Sequence, residues 1–172
     1  MADFKDIIKI IEKKIGNTIT RQNWTATLIS IIERKQRSIK ILVSFTKDQF
    51  IFEKELKLVD QHFDEDTKYN DEIIRQLKRL NDFDQCIIDL KSQIDNPNIS
   101  NKWKGFITEV IELNPIEVVI KVNYAKTGML IERDFKICEE SFITKQNYLT
   151  QIDFNVDRLN APIQIGYYQS LI

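Results

Sequence analysis

Displaced by 79 residues, this sequence meets itself without a gap, and any fold it adopts must accommodate the same pattern twice. Asp3-Phe4 falls on Asp82-Phe83, Ile8 on Ile87, Ile15 on Ile94, Asn17 on Asn96 and Trp24 on Trp103. The same register carries Ile32-Glu33 onto Ile111-Glu112. It then places Ile41, Val43, Lys47, Glu53, Lys57 and Phe63 on Ile120, Val122, Lys126, Glu132, Lys136 and Phe142. It closes with Tyr69, Ile73 and Arg79-Leu80-Asn81 on Tyr148, Ile152 and Arg158-Leu159-Asn160. About a quarter of the positions are identical, against roughly one in seventeen expected from average residue usage. The pattern predicts an internal tandem duplication, with unit 1 over 3–81, unit 2 over 82–160 and an extended tail over 161–172.

Each unit opens on a predicted helix, over 3–15 and 82–94. The aspartate at its start is suited to accept from the free N–H groups of a first turn. Ile7, Ile8, Ile11 and Ile15, like Ile87, Leu90 and Ile94, recur at helical spacing. Gly16-Asn17 and Asp95-Asn96 follow, residue types that tolerate a left-handed stop. A three-stranded antiparallel meander comes next, over 24–33, 39–45 and 50–58 in unit 1 and 103–112, 118–124 and 129–137 in unit 2. The clearest period of two is Ile39, Ile41, Val43 and Phe45 against Val118, Ile120, Val122 and Tyr124. Turn signals stand at Lys35-Gln36, Lys47-Asp48, Asn114-Pro115 and Lys126-Thr127-Gly128. The unit ends read differently: 68–80 has a helical pattern, able to fuse with the helix after it, whereas 152–156 alternates like a strand. The expected fold is α+β, with a helix and a three-stranded meander per unit (αβββ or a small SH3-like barrel) in a pseudo-twofold arrangement.

Composition excludes several function classes. The chain is 42% hydrophobic and 30% charged, a globular balance, with too few prolines and glycines for a low-complexity linker. Its formal net charge is -1, so the whole chain has no attraction to phosphate backbones or anionic lipid. No run approaches the ~20 apolar residues of a membrane span, and 1–15 is a charged amphipathic pattern rather than a signal peptide. Two cysteines without an export signal predict a reducing, cytoplasmic setting. Neither a CxxC pair nor a His/Cys cluster exists, and no Gly-rich phosphate cradle, so no metal or cofactor is expected.

The repeat lets individual residues be compared with their twins. Cys86 and Cys138 stand where unit 1 has Ile7 and Val59, which makes them small hydrophobes. His62 is the sole histidine, and nothing beside it marks a nucleophile. Arg79 and Arg158 suit the end of an element, bonding carbonyls, or a partner contact. Trp24 and Trp103 each begin a strand in a W-x-[AG]-x-[LI] pattern that resembles the strand starts of small SH3-like and Tudor-like barrels, which implies a core residue or an aromatic binding platform. Glu53, Glu55 and Lys57 alternate onto one face of a strand, as do Glu132, Asp134 and Lys136. This acidic-x-Lys strand resembles the metal-binding strand of PD-(D/E)xK nucleases and implies a divalent ion held by carboxylates, with Asp48 as the added ligand in unit 1. The blander reading of the same residues is a solvated face of cross-strand ion pairs. The order helix, three strands, helix is similar to double-stranded-RNA-binding domains, but the lysine cluster that grips phosphates there has no counterpart at Tyr69-Asn70-Asp71 or Tyr148-Leu149-Thr150.

The functional expectation is a noncatalytic cytoplasmic protein-binding module of the inhibitor, immunity or adaptor kind. Its partner would be another protein, met through Trp24, Trp103, Lys47, Lys126, Lys54, Arg133, Glu53 and Glu132. Two alternatives stand beside it: a nucleic-acid-binding tandem barrel using the same lysines with interleaved aromatics, and a metal-dependent nuclease using the acidic-x-Lys strand.

Overall fold

In the computed structural model, which describes residues 4–59, 68–100, 102–141 and 145–160, the first element is helix α1, Phe4–Glu12. Ile11 is fully buried, while Lys9 and Asp6 pair on the solvent side at 3.3 Å. The helix gives way to Gly16, whose φ of 86° suits a residue without a side chain. From that position the Gly16 N–H donates to Leu28 O at 2.7 Å, and the Leu28 N–H donates to Asn17 O at 3.1 Å. Strands β1 (Thr18–Arg21), β2 (Trp24–Lys35), β3 (Ser38–Lys47) and β4 (Phe50–Val59) follow as an antiparallel sheet in sequence order. The period of two in β3 is borne out: Ile39, Ile41, Val43 and Phe45 are all buried. Leu56 and Leu58 of β4 join them on the inner face.

Helix α2 runs unbroken from Lys68 to Lys91. It contains neither Gly nor Pro, so nothing stops it at Leu80. The predicted helix at 82–94 is therefore the second half of α2, and Asp82 lies inside it rather than capping it. Ile73, Leu77, Leu80, Phe83, Cys86, Ile87 and Leu90 are buried at three- and four-residue spacing. The chain divides into two units, Met1–Gln85 and Cys86–Ile172, at a point within α2.

Unit 2 repeats the order of elements. Asp95 takes a φ of 60° after α2 and donates its N–H to Ile107 O at 2.9 Å. Strands β5 (Asn98–Ser100), β6 (Trp103–Asn114), β7 (Glu117–Lys126) and β8 (Met129–Cys138) form a second antiparallel sheet in sequence order. A 3-10 turn, Glu139–Ser141, and helix α3, Lys145–Asn160, complete it. Val118, Ile120, Val122 and Tyr124 are buried like their unit 1 twins.

Two expectations are corrected. Each sheet has four strands, not three, because β1 and β5 leave no mark on the hydrophobic pattern. They are short edge strands without apolar alternation, held by hairpins that pair Arg21 with Trp24 and Ser100 with Trp103. Residues 152–156 are helical, not extended. The buried Ile152 and Val156 are four apart and belong to a helical stripe with Leu149 and Leu159, of which the alternation is a fragment. The helix α3 lies against β6 closely enough that Gly105 has no room for a side chain: a Cβ there would stand 2.7 Å from Val156 Cγ2 and 2.9 Å from Ile152 Cγ2.

Candidate interaction face

The tryptophans are structural in their surroundings. Trp24 is fully buried, edge-on to Phe50 and Phe52 at 6.5 and 5.8 Å. Its indole N–H donates to Asp84 Oδ2 at 3.1 Å, and Asp84 Oδ1 lies 2.7 Å from Lys47 Nζ. The Lys47 ammonium also sits 5.7 Å from the Trp24 ring centroid, within the range where a cation is attracted to a ring face. Lys47 is thus committed within unit 1. In unit 2, Lys126 stands 5.8 Å from the ring of the nearly buried Trp103. Both rings face inward, so neither offers a stacking platform.

The residues expected to bind a partner fall on opposite sides of each sheet. By register, Trp24, Lys47 and Lys54 belong to the inner face of the first sheet and Glu53 to the outer face; Trp103, Lys126 and Arg133 are inner and Glu132 outer in the second. A single partner surface does not collect all eight. Glu53, Glu55 and Lys57 do share an exposed outer face. Glu55 meets Lys40 at 3.4 Å, and Lys40 also lies 3.7 Å from Glu33. In unit 2 Lys136 pairs with Glu117 at 2.9 Å and Lys121 with Glu109 at 3.2 Å. These are cross-strand ion pairs of a solvated face. Among the described residues no three His, Cys, Asp or Glu side chains converge as a metal site. Asp48 occupies the β3–β4 turn with a φ of 53°. Cys86 is buried and Cys138 half-buried. Asp3, His62, Phe63, Phe142 and the tail 161–172 lie outside the described residues.

The most distinctive surface arises from two β-bulges in β2. Leu28 pairs with Val43 and Ser30 with Leu42; Ile31 pairs with Ile41 and Glu33 with Lys40. Ile29 and Ile32 have no partner in the ladder, and both are exposed, at 39% and 44%. A bulge adds a residue to one strand and re-aims its side chain. Without these two, the run Ile29–Ile32 would bury half of its side chains by simple alternation. Between them in the strand, Ser30 stands opposite Leu42, a half-buried outer-face residue. Around this apolar centre stand Thr20, Thr25 and Thr46, which occupy one cross-strand row ending at the exposed Ile51, and the Glu33–Lys40–Glu55 ion network. Thr20 and Thr25 hydroxyls are 3.0 Å apart. An apolar centre within a polar, satisfied rim is the anatomy of a protein interface.

Sequence reasoning missed two polar anchors. Asn81 Nδ2 donates to Arg21 O at 2.9 Å and Leu77 O at 2.8 Å, and Asn81 Oδ1 accepts from the Asn23 N–H at 3.4 Å. Asn160 Oδ1 accepts from the N–H groups of Lys102 and Trp103, both at 3.1 Å. In each unit this asparagine fastens the turn that precedes the tryptophan strand. Its signal is present in the shared Arg-Leu-Asn ending, where the arginine is the more conspicuous residue. Arg158 instead lies 5.9 Å from the Phe154 ring.

No protein-family model, curated protein or solved structure matches the chain. Among the described residues no helix is long and apolar enough to cross a membrane.

Proposed function

We propose that this chain is a noncatalytic, cytoplasmic protein-binding module of the inhibitor, immunity or adaptor kind, built from two tandem copies of one unit. The observation that carries the reading is the outer face of the unit 1 sheet, where Ile29, Ile32 and Leu42 gather inside a rim of hydroxyls and ion pairs. Exposing two bulged isoleucines three residues apart on one strand costs solvation, and exposed apolar surface of this kind marks interaction sites. A rigid sheet also presents such a patch with little ordering entropy lost on binding.

The duplication is supported by structural details that the 79-residue register superposes. Gly16 and Asp95 take left-handed conformations and donate to Leu28 and Ile107. Asn81 and Asn160 hold Asn23 and Lys102. The first bulge of β2, at Ile29, recurs in β6 at Thr108. The second recurs displaced, at Leu113 rather than at Ile111, and the outer face of unit 2 carries Thr108 in place of Ile29. The two copies therefore present different surfaces, and the proposal assigns the partner to unit 1.

The test is a tagged capture of the full chain from its native host, in nuclease-treated and untreated halves, beside the double variant Ile29→Lys, Ile32→Lys. The expected outcome is a stoichiometric protein that survives nuclease and is lost from the variant, while the variant's thermal transition stays close to that of the parent. Recovery of nucleic acid, with proteins lost on nuclease treatment, would overturn the proposal in favour of a nucleic-acid-binding barrel. A partner retained by the variant would move the interface off this face.

A further inference from the structure

Unit 2 contains a cleft of about 400 Å³ lined by Tyr124, Ile131, Arg133 and Phe135 of the sheet and Asn155, Arg158 and Leu159 of α3. Its volume lies in the range of small-molecule sites. Two features set it apart from an ordinary gap between a helix and a sheet. The first is the Tyr124 hydroxyl. The residue is 1% exposed, and its oxygen makes no well-formed hydrogen bond, although the Asn155 amide stands near enough to act on it. Buried hydroxyls are normally satisfied, and each that is not calls for an explanation. The second is charge. Arg133 belongs to the inner face of β8, opposite the buried Val122, yet no carboxylate within the described residues forms an ion pair with it. Arg158 approaches the same cleft from α3, one turn beyond the Asn155 amide.

The register with unit 1 shows how the cleft arises. Seventy-nine residues before Tyr124 and Ile131 stand Phe45 and Phe52, whose rings stack at 5.4 Å. Replacing the second ring by isoleucine removes the stacking partner, and replacing the first by tyrosine adds a polar atom at the same depth. The bare Gly105 backbone lies against the Tyr124 ring, where a Cβ would stand 3.3 Å from Cε1. These two differences take a stacked ring out of the unit 2 lining and place a donor at the depth of the Phe45 ring.

The geometry points to a binding site for a small organic oxyanion, a carboxylate or a phosphate monoester, carried on an apolar body. The guanidinium groups of Arg133 and Arg158 supply charge-assisted donors to the oxyanion, with the Asn155 amide and the Tyr124 hydroxyl as neutral donors. Ile131, Phe135 and Leu159 receive the apolar body. Burial raises the Tyr124 pKa, against the opposing influence of Asn155 and the Arg133 charge, so the phenol keeps its proton and remains a donor at neutral pH. The site lies wholly in unit 2 and is independent of the protein-binding face assigned to unit 1.

Calorimetry and amide chemical-shift titration of the full chain test this with four probes: phenyl phosphate, benzoate, inorganic phosphate and neutral benzyl alcohol. Phenyl phosphate is expected to bind at one site, with shifts confined to β7, β8 and α3. Its affinity should fall roughly tenfold in Arg133→Gln, the scale of a lost charge-assisted hydrogen bond, and about threefold in Tyr124→Phe. The latter restores the unit 1 residue, so its fold is not in question. Arg133→Lys should keep part of the affinity because the charge remains. Benzoate binding more tightly than phenyl phosphate would name a carboxylate as the preferred head group. No titratable shift at millimolar phenyl phosphate, or equal binding by Arg133→Gln and Tyr124→Phe, would overturn the inference. So would benzyl alcohol or inorganic phosphate matching phenyl phosphate.

Discussion

At the scale of single residues, the side chains that matter most to unit 1 are polar ones placed deep. Asp84 joins the Trp24 indole and the Lys47 ammonium, so Asp84→Ala would leave a buried N–H donor and a half-buried cation without their acceptor. A loss of about 1–3 kcal/mol is expected, measured as a shift in urea midpoint without a change in slope. Asn81→Ala should cost a similar amount, since it leaves the Arg21 carbonyl without its donor and the Asn23 N–H without its acceptor; an unchanged midpoint would show that water replaces the amide there. Neither role was legible in the sequence. Asp84 falls on Lys5 in the 79-residue register, so the repeat gave no hint of it, and its partners lie 60 and 37 positions back along the chain. The tryptophans were legible as strand starts and as core residues, with a binding platform the alternative that their burial closes. Glu117 illustrates a residue whose effect depends on pH. Lys136 and Asn114 bond its carboxylate and hold its pKa below the ordinary 4.5. A carboxyl lowered in the folded state contributes stability that is present above the unfolded value and lost as pH falls through the folded one. Stability is therefore expected to decline as pH falls below 4.5, less steeply in Glu117→Gln. Because the group is exposed, the difference should shrink in high salt.

At the scale of elements, the apolar period of two is enough to identify β3 and β7, and the three- and four-residue spacing identifies α1 and both halves of α2. The edge strands β1 and β5 escaped because a four-residue and a three-residue strand carry too few side chains to show alternation. The bulges escaped for a different reason. An inserted residue shifts the parity of everything beyond it, so Ile29–Ile32 reads as an apolar run of no definite period. The boundary between β6 and α3 carries a prediction of its own. Gly105 stands where unit 1 has the buried Ala26, but the β-branched Val156 and Ile152 close the space above it. Gly105→Ala should therefore destabilise by about 1–3 kcal/mol through overpacking, although alanine suits the matching strand position of unit 1. Calorimetric melting of the variant decides it: an equal or higher midpoint would mean that α3 withdraws without cost. The double variant Gly105→Ala, Val156→Ala should recover much of the loss, because the crowding methyl groups are removed together with the space they deny.

At the scale of the whole molecule, the 79-residue self-similarity and the absence of a linker are both readable in the sequence, and the unit boundary lies within the unbroken α2. A helix interior does not tolerate proline. Asp82→Pro, at an exposed position in that helix, should cost about 3 kcal/mol or more and lower the helical circular dichroism signal. Retention of the parent's signal and midpoint would show that the two halves of α2 are separable. Harder to read at this scale is the difference between the units, since a shared register emphasises the identical positions while the unlike ones shape each surface. Every strand in both sheets pairs with its neighbour in the chain, across turns such as Lys35 to Ser38 and Lys126 to Met129. Sheets made only of adjacent hairpins require little loop closure, and contacts near in sequence form quickly. The strands of the first sheet need nothing from beyond Val59 to find their partners. On the ribosome the first sheet can be paired before the second has been synthesised, which separates two similar sequences in time and spares the chain the mispairing to which repeats are prone.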